Sequence, residues 1–265
     1  MVKDDQLSYV FDQLSQHYPL DRVMLIGAAC RDIYQSRFRS AQTARTTYDV
    51  DLAIAVDSWR AFQDLRSAFP SRTKAWQEID INGVRVDLVP FGEIEAPPGE
   101  VMNDEGFLLN VASFQEVFNT AVVHSLLNGT EIKIPTVPGL ATLKLHAWLD
   151  RYPVGQYKDA QDLALFLDWY ASEDDARLFE RFFHYKSADE ADIPEIMAAF
   201  VLGSDISLEI GAEAATVLRN RFDNEPSEGI DLFSTMLVCP GLQPIPFESR
   251  RSQVMALLDG LSVAG

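Results

Sequence analysis

The sequence predicts an α+β fold: a mixed β-sheet with helices over residues 1–136, then an all-helical unit over 137–265. Three observations predict it. Short apolar runs of period two, broken by Asn-Gly dipeptides, occupy the first half. Apolar residues spaced three and four apart occupy the second half. The texture changes at Pro138, a residue suited to a first helical turn.

In chain order, "LSYVFDQLSQHY" (7–18) has helical spacing at Leu7, Val10, Phe11 and Leu14. "RVMLIG" (22–27) reads as a short buried strand ending at a glycine, and "AACRDIYQSRF" (28–38) as the helix that starts there. In "TTYDVDLAIAV" (46–56) Val50, Leu52, Ile54 and Val56 line one face of a strand, and Asp49, Asp51, Ala53 and Ala55 the other. Asp57 and Ser58 can cap a helix over 57–69, which Pro70 ends. Asn82-Gly83 and Asn128-Gly129 each predict a hairpin, and the segment 93–106 between them reads as loop. In the first hairpin Arg85, Asp87 and Val89 share a face. Helices follow at 138–152, 157–172, 174–185, 193–201, 207–221 and 249–261, with Trp148, Phe166 and Trp169 packed between them.

Composition limits the function classes. A 47% hydrophobic chain with 11% aromatics can build a core. No apolar run is long enough to cross a membrane, and the first residues lack a signal peptide's apolar centre, so a cytoplasmic protein is expected. Cys30 and Cys239 form neither a disulfide framework nor a metal spacing, and the histidines at 17, 124, 146 and 184 share no spacing. The net charge of −18 opposes a broad nucleic-acid surface. A local cationic stretch, with Arg31, Arg37, Arg39 and Arg45, nevertheless precedes the paired aspartates, and Arg31 and Arg45 are candidates for phosphate or RNA contact.

Asp49 and Asp51 carry the chemistry. Like charges about 4 Å apart repel by roughly 4 kcal/mol at an effective dielectric near 20. A divalent cation resolves the conflict, and Mg²⁺ suits it because it takes one or two carboxylates together with water and phosphate oxygens. Asp87 is a third candidate ligand, and three aspartates on neighbouring strands could hold one or two ions for phosphoryl or nucleotidyl transfer. The glycine turn at Gly27 opens a helix N-terminus, whose free N–H groups bind anions.

"IGAACRD", "RTTYDVDLAIAV" and "VRVDLVPFG" together resemble the nucleotidyltransferase superfamily with the DNA polymerase β-type minimal fold. The closer likeness is to bacterial predicted nucleotidyltransferases grouped with AbiEii-type toxins, through "LKLHAWLDRY" and "KDAQDLA". It spans roughly residues 22–170. The resemblance implies that the sheet is a nucleotidyltransferase core. It implies that Gly27 and Ala28 contact a nucleoside triphosphate, with Ala28 standing where the family has a second glycine or a serine. It implies that Asp49 and Asp51 bind metal, and that Asp87 ligates metal or acts as general base. Lys144 and Lys158 would hold phosphates or offset charge, and Asp162 belongs to the same nucleotide-binding motif. The expected reaction moves a nucleoside monophosphate from NTP to an RNA such as tRNA, or to a protein, as the toxin of a toxin–antitoxin pair. Two alternatives stay open: nucleotidylation of a cationic small molecule such as an aminoglycoside, and an inactive fold used as a binding module. Lys158 and Asp162, four apart, could equally form an ordinary helical ion pair.

Overall fold

The computed structural model describes residues 4–38, 49–172, 174–238, 241 and 244–263. The chain is an α+β molecule of two compact units that meet in sequence between Thr136 and Val137.

The first unit begins with helix α1 (Asp4–Ser15), whose Leu7, Val10, Phe11 and Leu14 are buried as their spacing requires. Strand β1 (Val23–Ile26), fully buried, runs straight into α2 (Gly27–Arg37). Next come β2 (Asp49–Val56) and α3 (Trp59–Ser67). Ser58, not Asp57, caps α3, accepting a hydrogen bond from the Ala61 N–H at 3.2 Å. The first Asn-Gly hairpin is β3 (Glu78–Ile81) with β4 (Val84–Gly92). A small hairpin of β5 (Glu100–Met102) and β6 (Leu108–Asn110) follows, then α4 (Phe114–Thr120). The second Asn-Gly hairpin is β7 (Val122–Ser125) with β8 (Glu131–Ile134). The expectation of plain loop over 93–106 therefore fails at Glu100–Met102, where three residues pair with a strand beyond the segment.

Among the described residues, six strands form one mixed sheet in the order β3-β4-β2-β1-β8-β7. The β2–β4 and β1–β8 pairs are parallel, and the others antiparallel. Val50, Leu52, Ile54 and Val56 are sealed in the core, which fixes the opposite face of β2 by the two-residue pleat. Two hydroxyls tie the sheet's surroundings to it: Tyr18 donates to the Ala55 carbonyl and Tyr34 to the Pro135 carbonyl, each at 2.7 Å.

The second unit is helical: α5 (Val137–Arg151), α6 (Lys158–Ala171), α7 (Asp175–Phe183), α8 (Pro194–Asp223), α9 (Ser227–Met236) and α10 (Phe247–Gly260). Trp148, Phe166 and Trp169 are buried among them. The expected break between helices at 202–206 does not occur. The helix continues to Gly211, whose φ of 82° supplies the interruption instead. Gly203 serves contact with α10: a Cβ there would stand 3.0 Å from Gly260 Cα and closer still to the Leu257 carbonyl oxygen. Among the described residues, no helix is long and apolar enough to cross a membrane.

Candidate functional site

The site is built by register. Antiparallel pairing of β1 with β2 sets Ile26 opposite Asp51, so the chain leaves β1 and enters α2 directly beside that carboxylate. The turn works only with glycine. Gly27 has φ 69°, a left-handed conformation that costs a side-chain-bearing residue roughly 1–2 kcal/mol. A Cβ there would also stand 2.8 Å from Asp51 Cγ and closer to Oδ2. The Asp51 carboxylate thus occupies the space that a side chain at residue 27 would fill. Ile26, the residue before α2, offers no side-chain cap to the first N–H groups of the helix.

Parallel pairing of β2 with β4 sets Asp51 opposite Asp87 and Asp49 opposite Arg85. On the far side of β4, Glu78 of β3 lies opposite Asp87. Three acidic residues therefore form one row across β2, β4 and β3, with Asp49 and Arg85 one pleat away. Burial, and next the Asp51 charge, push the Asp87 carboxyl up to about 6; Arg85 works in the other direction, and Asp49 and Glu78 add to the rise. Glu78 is buried and accepts a hydrogen bond from the Thr73 N–H at 3.1 Å.

Arg85 divides the acidic set. Its Nη2 donates to Asp49 Oδ2, while its Nε stands 3.9 Å from Asp87 Oδ2. Among the described residues, no group of three or more His, Cys, Asp and Glu side chains is placed to hold a metal ion. Asp51 and Asp87 are two carboxylates in lateral register, and the proton affinity of Asp87 is raised by burial first and by Asp51 next. Mg²⁺ needs no more than one or two carboxylates. Asp49, the third candidate ligand, is engaged by Arg85.

Of the other candidate residues, Ala28 lies in the first turn of α2 and is buried. Arg31 is 1% exposed, and its Nε and Nη2 donate to Asp32 Oδ1 at 3.0 and 2.7 Å. Arg45 lies outside the described residues.

Lys144, Lys158 and Asp162 belong to the second unit. Lys144 is buried on α5, with Nζ 3.0 Å from Asp159 and 2.7 Å from Asp162, both buried on α6. Arg151 adds a second cation to Asp159 at 3.1 Å. Burial alone would drive Lys144 down, yet Asp162 and Asp159 hold it above its ordinary value. Burial would raise Asp159, yet Lys144 and Arg151 bring it below the usual carboxylate range. Lys158 is exposed at the first residue of α6, and Asp162 meets Lys144 across the helix pair.

His146 is buried beside Arg221, whose Nη1 lies 2.8 Å from its Nδ1. Arginine can only donate, so Nδ1 accepts and the ring is neutral. Burial and the Arg221 charge lower it to about 3.

Two participants, Arg85 and Glu78, were not singled out as site residues from the sequence, whereas Asp159 belongs to the "KDAQDLA" motif. Arg85 carried a usable signal, since it shares Asp87's face two residues away. No protein-family model matches the chain, and no curated protein matches it either.

Proposed function

We propose that the first unit is a metal-dependent nucleotidyltransferase domain. The observation that carries this reading is the packing of Gly27 against the Asp51 carboxylate, at a helix N-terminus and in register with Asp87. Phosphate oxygens and a divalent cation need adjoining sites. The N–H groups at the start of α2 suit the former, and the Asp51–Asp87 pair suits the latter. In this reading Asp51 and Asp87 hold one or two Mg²⁺, and Gly27 with Ala28 admits the triphosphate to the backbone. Bound Mg²⁺ would neutralise charge on the phosphoryl group being transferred. Arg85 holds Asp49 in place and tempers the acidic row. The acceptor is an RNA such as tRNA or a protein, and a toxin restrained by an antitoxin fits the same chemistry, in a cytoplasmic setting.

A specific observation favours a second reading. Arg85 already supplies a cation to Asp49, as expected of an inactive fold that binds without catalysis. Calorimetric titration with each NTP, with and without Mg²⁺, separates the two. The enzyme reading expects binding that requires Mg²⁺ and is lost in Asp51→Asn and Asp87→Asn. It further expects label from α-labelled NTP to appear in RNA or protein of a cell extract. Metal-independent NTP binding without label transfer would establish the inactive module, and no binding of any NTP would remove both readings.

A further inference from the structure

A second site lies wholly within the helical unit. A cavity of about 530 Å³ opens between α6, the residues preceding α8, and α10 with its leading segment. That volume is in the range of metabolite-binding pockets. Its apolar wall includes Ala164 and Leu167 of α6, Ile193, and Ile245. Its polar wall includes Asp168, Ser249 and Arg250.

Arg250 is the unusual member. It is only 6% exposed, and among the described residues it forms no ion pair. A buried charge without a partner is costly, so buried arginines are ordinarily matched by carboxylates. Among the described residues, the only hydrogen bond of the guanidinium runs from Nη1 to Gln253 Oε1 at 2.7 Å. Gln253 is in turn anchored by its Nε2, which donates to the Glu195 carbonyl at 3.3 Å. The head group is therefore oriented but not neutralised. Among the described residues Nε and Nη2 have no hydrogen-bond partner, and Arg250 lines the cavity. Those two donors form the side-on fork that arginine offers to a carboxylate. Burial lowers the guanidinium's proton affinity while the Asp168 charge raises it, and burial is the larger influence.

We propose that this cavity binds a small organic monocarboxylate with an apolar body, its carboxylate seated side-on against Nε and Nη2 of Arg250. A single negative charge is favoured over a dianionic phosphate because Asp168 and Glu195 line the same cavity. The aliphatic wall, with alanine at 164 leaving room, receives the hydrocarbon. This site is independent of the nucleotidyltransferase reading and stands or falls separately.

The test is calorimetric and NMR titration of the full chain with 4-methylpentanoate, its uncharged amide, and inorganic phosphate. The acid is expected to bind saturably, with the amide and phosphate at least tenfold weaker. Arg250→Gln should weaken the acid at least tenfold. Ser249→Leu, which keeps the guanidinium and fills the cavity, should do the same and guards against misfolding of the first variant. Equal binding of acid and amide, tighter binding of phosphate, no binding of any probe, or undiminished binding by Ser249→Leu would each overturn the proposal.

Discussion

Two pairs of aspartates in this chain have opposite electrostatics. In the helical unit, Asp159 and Asp162 close on Lys144, Arg151 adds a second cation, and Asp159 is held below its ordinary value. In the sheet, Asp51 and Asp87 sit in lateral register, and Asp87 is pushed up to about 6. Arg85 is turned mainly to Asp49, with its Nε 3.9 Å from Asp87. The first pair is neutralised by the chain itself, so its charge is part of the architecture. In the second, burial and the neighbouring Asp51 charge raise the proton affinity of Asp87 instead. Lys144 thus bridges α5 to α6, while Asp87 is the carboxylate whose proton affinity the fold raises.

The contrast breaks most visibly at Lys144. Lys144→Met leaves two buried carboxylates facing each other and should cost about 3–5 kcal/mol, read as a lower midpoint in urea denaturation. A loss under about 1 kcal/mol would mean that water already reaches the triad. Next in size is Gly27→Ala, which forces a left-handed alanine against Asp51 and should cost about 2–4 kcal/mol. In an Asp51→Gly background the clash is gone and only the backbone cost remains, so the two changes should couple by at least about 1 kcal/mol. Strict additivity would show that Asp51 does not occupy the space beside Gly27.

Much of the fold was legible because pattern is local. Alternation over 49–56 placed Val50, Leu52, Ile54 and Val56 inward, and the Asn-Gly pairs marked both hairpins. Partner choice is not local. That Asp51 meets Asp87 while Asp49 meets Arg85 follows from the β2–β4 register, which no feature of either strand alone specifies. That Asp162 meets Lys144 follows from the packing of α5 on α6, which the spacing within either helix does not specify. Gly203 is an inter-helix contact in the fold, visible only once α10 is laid against it. The strands at Glu100–Met102 and Leu108–Asn110 are three residues each, too short for alternation to announce them. Arg250 gave no warning, since its burial comes from packing against residues far away in the chain.

The smallest expected effect separates the two carboxylate pairs most cleanly, because it has opposite signs in them. Asp87 binds its proton more tightly when folded, so the wild-type chain loses stability as pH rises from about 4 through about 6. Asp87→Asn removes that loss. In metal-free buffer at pH 7 it should stabilise the protein by about 1 kcal/mol, once solvent screening of a partly exposed carboxylate is allowed for. The gain should vanish below pH 4. Asp159 is lowered on folding, so Asp159→Asn should destabilise above pH 4, with the difference shrinking as the pH falls further. Added Mg²⁺ then reverses the order at the sheet. At tenfold its dissociation constant a bound ion contributes about 1.4 kcal/mol to the wild type, and it should contribute nothing to Asp87→Asn. Equal Mg²⁺ stabilisation of both proteins would place the ion elsewhere and leave the raised Asp87 as an unrelieved cost of the fold.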